Sequence, residues 1–196
     1  METLLAAGTG IGLSSIAGVR AYLPLALVGL FARFGLFELS GPFDLLSSWI
    51  VIGVLLVLAL VETGLDKVPA LGRVVDVVQT PVRIVAGGVL FAAAFQAGVS
   101  SDGFADLVPE AIIGGGIAAV VAVLKVLLRP SADAASAGVS ASFLSTFEDV
   151  VAGVGGVVAL LVPLVPLLFV AVLLFFFYRV RKRRGRKFGG LRILGD

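Results

Sequence analysis

The chain contains no cysteine and no histidine. Without cysteine there is no disulfide, no thiol nucleophile and no thiolate metal site. Without histidine the side chain that most often exchanges protons near neutral pH is missing, together with the usual zinc and haem ligation. Charge is scarce as well: Asp, Glu, Lys and Arg make up 14% of the 196 residues, against about a quarter in an ordinary soluble domain. There is no Walker A loop, dinucleotide fingerprint, hydrolytic triad or zinc spacing. No cofactor is implied, and nothing argues for an enzyme. Any acid–base or cation chemistry must therefore use carboxylates, hydroxyls and backbone carbonyls, donors that suit protons and hard cations.

What the chain has in abundance is apolar surface. Hydrophobic residues reach 59% and mean hydropathy is +1.14, too much to cover with water-facing polar groups. The solvent for most of it is then lipid, where every backbone polar group must be satisfied internally and helices are the economical answer. The expected fold is all-α: a polytopic transmembrane bundle of about six spans with interrupted or re-entrant elements. Residues 1–180 form a single membrane domain and 181–196 a basic tail.

The N-terminal stretch has no basic n-region and no clean cleavage site, so no removable signal peptide is expected. Residues 3–32 are one apolar run. As a straight helix it would reach about 45 Å, longer than the ~30 Å hydrocarbon core. Arg20 lies inside it, followed by Pro24. Two readings stand side by side: a helix starting near residue 17 whose Arg20 snorkels to the interface, or a broken helix with Arg20 facing the protein interior.

Trp49 opens a second helix, over 49–65, that ends at Val68-Pro69. A short interfacial helix over the following residues is expected, with helix three starting at Pro81 and reaching about Gly98. Its Gly87-Gly88 pair suits close approach of a neighbour. Helix four is expected over 111–128, a small-residue loop over 131–142, helix five over about 142–161 and helix six over about 164–180, with Pro163 and Pro166 bracketing a break.

Ionisable groups concentrate along one connection, with Glu62, Asp66, Lys67, Asp76 and Arg83 between helices two and three. Glu62 and Asp66 are four apart and share a helix face. Like charges that close cannot both ionise cheaply: one carboxyl holds its proton or a cation bridges them, with the adjacent Lys67 as an internal competitor or, in a purely structural account, an ion-pair partner at the interface. Asp76, Gln79, Thr80 and Arg83 recur at helical spacing and would form one polar stripe if the helix ran through Pro81. Because Pro81 argues against that, two short elements meeting at a polar junction are expected. Glu148 and Asp149 form a second acidic site, early in helix five, within reach of Lys125 or Arg129. A purely structural account, in which these groups pair, cap helices or meet headgroups, is kept beside the functional one.

Basic residues favour alternate connections and both termini are placed in the cytoplasm. The tail residues Arg181, Lys182, Arg183, Arg184, Arg186 and Lys187 follow directly on an apolar helix. They are expected to contact anionic lipid headgroups rather than nucleic acid. A homo-oligomer is compatible with the sequence.

These motifs resemble a family of bacterial and plastid membrane proteins grouped as domain of unknown function 4126. The resemblance rests on Arg20 before Ala-Tyr22-Leu, on Glu62-x-x-x-Asp66-Lys67-x-Pro69, on Asp76-x-x-x-Thr80-x-x-Arg83, on Lys125, and on Ser145-x-x-Glu148-Asp149. It spans nearly the whole chain. This chain departs from the pattern at Gln79, where the family has His, and at Lys125, which lacks a nearby His. The resemblance implies a multi-pass cell-membrane protein and assigns no function. The function expected from the residues is a small transporter or channel for an ion or small polar solute, using the ten residues Arg20, Glu62, Asp66, Lys67, Asp76, Thr80, Arg83, Lys125, Glu148 and Asp149. The alternative is a non-transporting scaffold that binds anionic lipid or a protein partner.

Overall fold

The computed structural model describes the backbone of residues 2–39, 41–66, 69–98, 107–135 and 139–188. Side chains are described over 2–39, 41–66, 75–97, 107–127 and 145–179, apart from 173, 176 and 177. The described residues form helices joined by short turns, with no strand among them: α1 (Glu2–Val19), α2 (Tyr22–Arg33), a 3-10 helix (Gly41–Ser47), α3 (Trp49–Asp66), α4 (Pro69–Gly98), α5 (Val108–Ala135), α6 (Val139–Leu161) and α7 (Leu164–Phe188). Four of these helices contain windows long and apolar enough to cross a membrane, and the bent α6–α7 pair makes a fifth if taken as one span. With the shorter apolar α2, this is roughly the six-span bundle expected.

Proline places the two breaks. α2 begins at Tyr22, so Pro24 occupies its first turn. There it lacks the N–H that would bond the Arg20 carbonyl four residues back, and its ring crowds that carbonyl. α1 therefore ends at Val19, Arg20 still donating its own N–H to the Ile16 carbonyl at 2.9 Å. Pro166 stands in the same relation to Val162 at the start of α7, and the chain turns by 113° between the apolar parts of α6 and α7.

α1 is the centre of the bundle and packs on α4, α5 and α6, with α7 along its first half. Close approach is bought with glycine: a Cβ on Gly18 would lie 2.6 Å from the Ala118 carbonyl oxygen of α5. Ser14 of α1 donates to the Gly87 carbonyl of α4 at 2.8 Å. The core is correspondingly small-grained, with Leu13, Ala17, Ala21, Val28, Ala86 and Leu90 among its fully enclosed members. α3 sits outermost. Of its 18 residues only Ile52, Leu55, Glu62 and Asp66 are buried.

Three sequence expectations are corrected. No separate interfacial helix precedes Pro81, because α4 is continuous from Pro69 to Gly98 with Pro81 inside it. Arg83, below the proline, pairs with Asp76 above it at 2.9 Å, and this contact spans the missing backbone bond. The small-residue loop is largely absent: α5 runs to Ala135 and α6 begins at Val139, consistent with the high helix propensity of Ala at 132, 134 and 135. α7 continues to Phe188, so the first basic residues past 180 extend that helix. The side chains of Arg181, Lys182, Arg183, Arg184, Arg186 and Lys187 lie outside the described residues.

Candidate functional site: a buried ion-pair cluster

The break after α1 leaves a helix end deep in the bundle, with carbonyls that no intrahelical N–H can reach. Lys125 of α5 supplies one donor, its Nζ lying 3.1 Å from the Val19 carbonyl oxygen. The same Nζ is 2.8 Å from Glu148 Oε2, 3.1 Å from Asp76 Oδ1 and 3.6 Å from Asp66 Oδ2. One ammonium thus ties α1, α3, α4 and α6 to α5.

Two guanidinium groups flank it. Arg20 is 1% exposed and places Nη1 at 2.8 Å from Asp66 Oδ2 and Nη2 at 2.9 Å from Asp149 Oδ1. Its Nη2 also donates to Ser145 Oγ at 3.0 Å and comes within 4.0 Å of Glu148. On the other side, Arg83 Nη2 reaches Asp76 at 2.9 Å, Glu62 Oε1 at 3.2 Å and Gln79 Oε1 at 3.2 Å. Thr63 Oγ1 donates to Asp149 Oδ1 at 3.1 Å. The contacts form one connected path, Glu62–Arg83–Asp76–Lys125–Asp66–Arg20–Asp149, with Glu148 branching from Lys125.

Eight of the ten sequence candidates meet here: Arg20, Glu62, Asp66, Asp76, Arg83, Lys125, Glu148 and Asp149. Arg20 takes the interior position at a broken helix. Thr80 stands aside, since its hydroxyl donates to the backbone carbonyl of Asp76 at 2.8 Å rather than to the ion pairs. Lys67 lies outside the described residues. Glu148 and Asp149, adjacent and pointing apart, straddle the two cations Lys125 and Arg20 instead of sharing one ligand. Sequence reading missed Thr63, which carries no charge and no motif. Its only signal is position, one residue after Glu62 and three before Asp66.

The arrangement has two chemical consequences. Three basic groups face five carboxylates, a formal surplus of two negative charges in a largely buried space. Moreover, Glu62 is 1% exposed and its Oε2 accepts no hydrogen bond from any described residue. Among the described residues no group of three or more carboxylates is placed to hold a metal ion. The cluster is therefore salt-bridged rather than a preformed metal cage.

Thr80 offers a small, separate check. Thr80→Val removes one side-chain-to-backbone bond and no ion pair, so a loss of about 1 kcal/mol or less is expected. Thermal unfolding in detergent measures it.

A family model described as Domain of unknown function (DUF4126) matches residues 7–183. The match takes in every residue of the cluster, and the chain belongs to that family. No curated protein and no solved structure matches it. The fold and the family together define a helical, membrane-embedded protein with a conspicuously charged interior.

Proposed function

We propose that the protein is a small transporter for an ion or small polar solute, with the buried cluster as its translocation site. The observation that carries this is the acidic surplus. Burying five carboxylates against three basic groups is costly, and the excess charge favours uptake of a proton or another cation. The three basic groups each touch more than one carboxylate. An incoming cation can thus be met by exchange of partners rather than by creation of an unpaired charge. The position along the helices supports the same reading: Arg20 lies at the break between α1 and α2, and Asp76, Arg83, Glu148 and Asp149 lie well inside α4 and α6. On this reading both termini are cytoplasmic, with the basic end of α7 against anionic headgroups.

A second reading is favoured by a different fact. Every carboxylate of the cluster lies within 4.0 Å of a basic group, as it would if the charges only locked helices together in a scaffold. Flux decides between them. Purified protein in liposomes carrying a pH-sensitive dye, under imposed proton and alkali-cation gradients, is expected to move charge, and Glu62→Gln or Asp149→Asn to slow it by about tenfold or more. Flux that survives both substitutions removes the cluster from the path. Absence of proton, cation and anion movement overturns the transport reading and leaves the scaffold.

A further inference from the structure

Beside the cluster, between the α1–α2 break, α3 and α6, lies a half-open cleft of about 360 Å³ lined by Arg20, Leu23, Leu56, Ala59, Leu60, Glu62, Thr63 and Asp149. Its walls are aliphatic and its floor is polar. Leu56 and Leu60 are exposed on the outer side of α3, Leu60 to 73%, beside the exposed Val57 and Val61. That side of α3 is an uninterrupted apolar surface, so in a bilayer the cleft opens towards lipid rather than only towards water.

The floor favours positive charge. The terminal nitrogens of Arg20 are already engaged by Asp66, Asp149 and Ser145, and its buried Nε has no hydrogen-bond partner among the described residues. Glu62 gives Oε1 to Arg83, while its Oε2 has no hydrogen-bond donor among the described residues. Asp149 is the most accessible carboxylate of the cluster, its side chain one-quarter exposed. Two carboxylates of an acidic cluster thus border a cleft whose other lining is Arg20, Thr63 and the aliphatic Leu23, Leu56, Ala59 and Leu60. A small alkali ion would leave those walls without a role, and an anion would meet like charge. A group with both features, an ammonium on an apolar body, uses the whole surface, and the volume falls in the range of small-molecule sites, about 300–1,000 Å³.

We propose that this cleft binds an amphipathic ammonium compound that enters laterally from the bilayer, its charged nitrogen between Glu62 and Asp149 and its apolar part against Leu23, Leu56 and Leu60. The inference names a substrate class for the site read above as a translocation site and rests on that reading for transport, although binding can be measured without it. The ammonium is carried either by a free amine or by a phospholipid headgroup, and the two sources are separable.

Benzylammonium and its neutral counterpart benzyl alcohol are the probes, used with the full-length protein in a neutral maltoside detergent and followed by equilibrium dialysis. Saturable benzylammonium binding is expected, with benzyl alcohol at least about tenfold weaker, the effect of one charge-assisted contact. Glu62→Gln should weaken benzylammonium by a similar factor. Ala59→Leu keeps every charge and adds bulk inside the cleft, so it tests the site even if Glu62→Gln fails to fold, and it should also abolish binding. Displacement of benzylammonium by added phosphatidylethanolamine supports the ammonium site and assigns its occupant to the lipid; persistence in its presence assigns it to a free amine. Equal affinity for the alcohol, or wild-type binding by Ala59→Leu, overturns the inference. Ammonium binding without ion flux in liposomes would sink the transport reading alone, whereas flux without ammonium binding would sink this inference alone.

Discussion

Arg20→Ala is expected to cost about 3–5 kcal/mol of stability, the penalty for leaving buried charge without its partner. Arg20 holds Asp66 with one terminal nitrogen and Asp149 with the other, and donates to Ser145 besides. Deleting it strands two carboxylates in a cluster that already carries an acidic excess. Lys125 lies 3.6 Å from Asp66 and can compensate there only in part, because the same ammonium serves Asp76, Glu148 and the end of α1. Arg20→Lys should recover part of the loss but not all, since one ammonium replaces two terminal nitrogens that contact Asp66 and Asp149 separately, in a planar fork that lysine lacks. Detergent-solubilised protein titrated with denaturing surfactant gives the measurement. A wild-type midpoint for Arg20→Ala would mean that the guanidinium is hydrated rather than buried among carboxylates.

The second large effect belongs to packing. Gly114→Val is expected to destabilise by about 3 kcal/mol, the upper end of what overpacking costs. A Cβ at 114 would fall on the Phe91 Cβ and on the Gly87 carbonyl oxygen of α4, and 3.0 Å from Ser14 Oγ of α1. Backbone cannot step aside as a flexible side-chain tip can, so α4 and α5 must separate. The Ser14–Gly87 hydrogen bond would be strained in the same movement. The comparison that isolates the cause lies two residues on. Nothing comes within 4 Å of a Cβ built on Gly116, and Gly116→Val should stay within about 0.5 kcal/mol of wild type. Equal effects at the two sites would point to helix propensity instead of helix contact.

Much of this was legible in the sequence, for identifiable reasons. Arg20, Glu62, Asp76 and Arg83 stood out because charge is so rare in this chain that each occurrence inside an apolar run demands a partner. The spacing of Glu62 and Asp66, four apart, and of Asp76, Gln79, Thr80 and Arg83, three and four apart, then limited which faces they could share. Pro24 made a broken helix one of two readings of residues 3–32, and the structure takes that one, because a first-turn proline forbids the bond that would have joined the helices. Pro81 misled for an instructive reason. Propensity weighs the lost backbone bond alone, whereas the folded chain adds an Asp76–Arg83 ion pair that reaches across the proline and a neighbouring helix packed along α4. The loop expected around 131–142 was misjudged by weighting small size over the helix preference of alanine. Thr63 was invisible because its role depends entirely on what α6 brings opposite it, and a single chain of letters holds no record of that.

The cleft could not have been read from the sequence at all. Leu23 and Ala59 are unremarkable where they stand, and nothing in their spacing places them beside Asp149. Only the turn at Arg20 brings α2 and α6 around α3 closely enough to leave a space with two characters, oily at the side and charged at the base.

The peripheral placement of α3 carries a mechanical meaning. Its four buried residues divide by type along its length: Ile52 and Leu55 near the start are gripped by hydrocarbon, and Glu62 and Asp66 near the end are gripped by charge. A rod fastened by grease at one end and by electrostatics at the other has a preferred pivot. Neutralising the second fastening leaves the first intact, so the rod swings before it detaches. In Glu62→Gln, amide protons in the last two turns of α3 should accordingly exchange ahead of those in its first two. The gap between the two rates would gauge how tightly the charged end is latched.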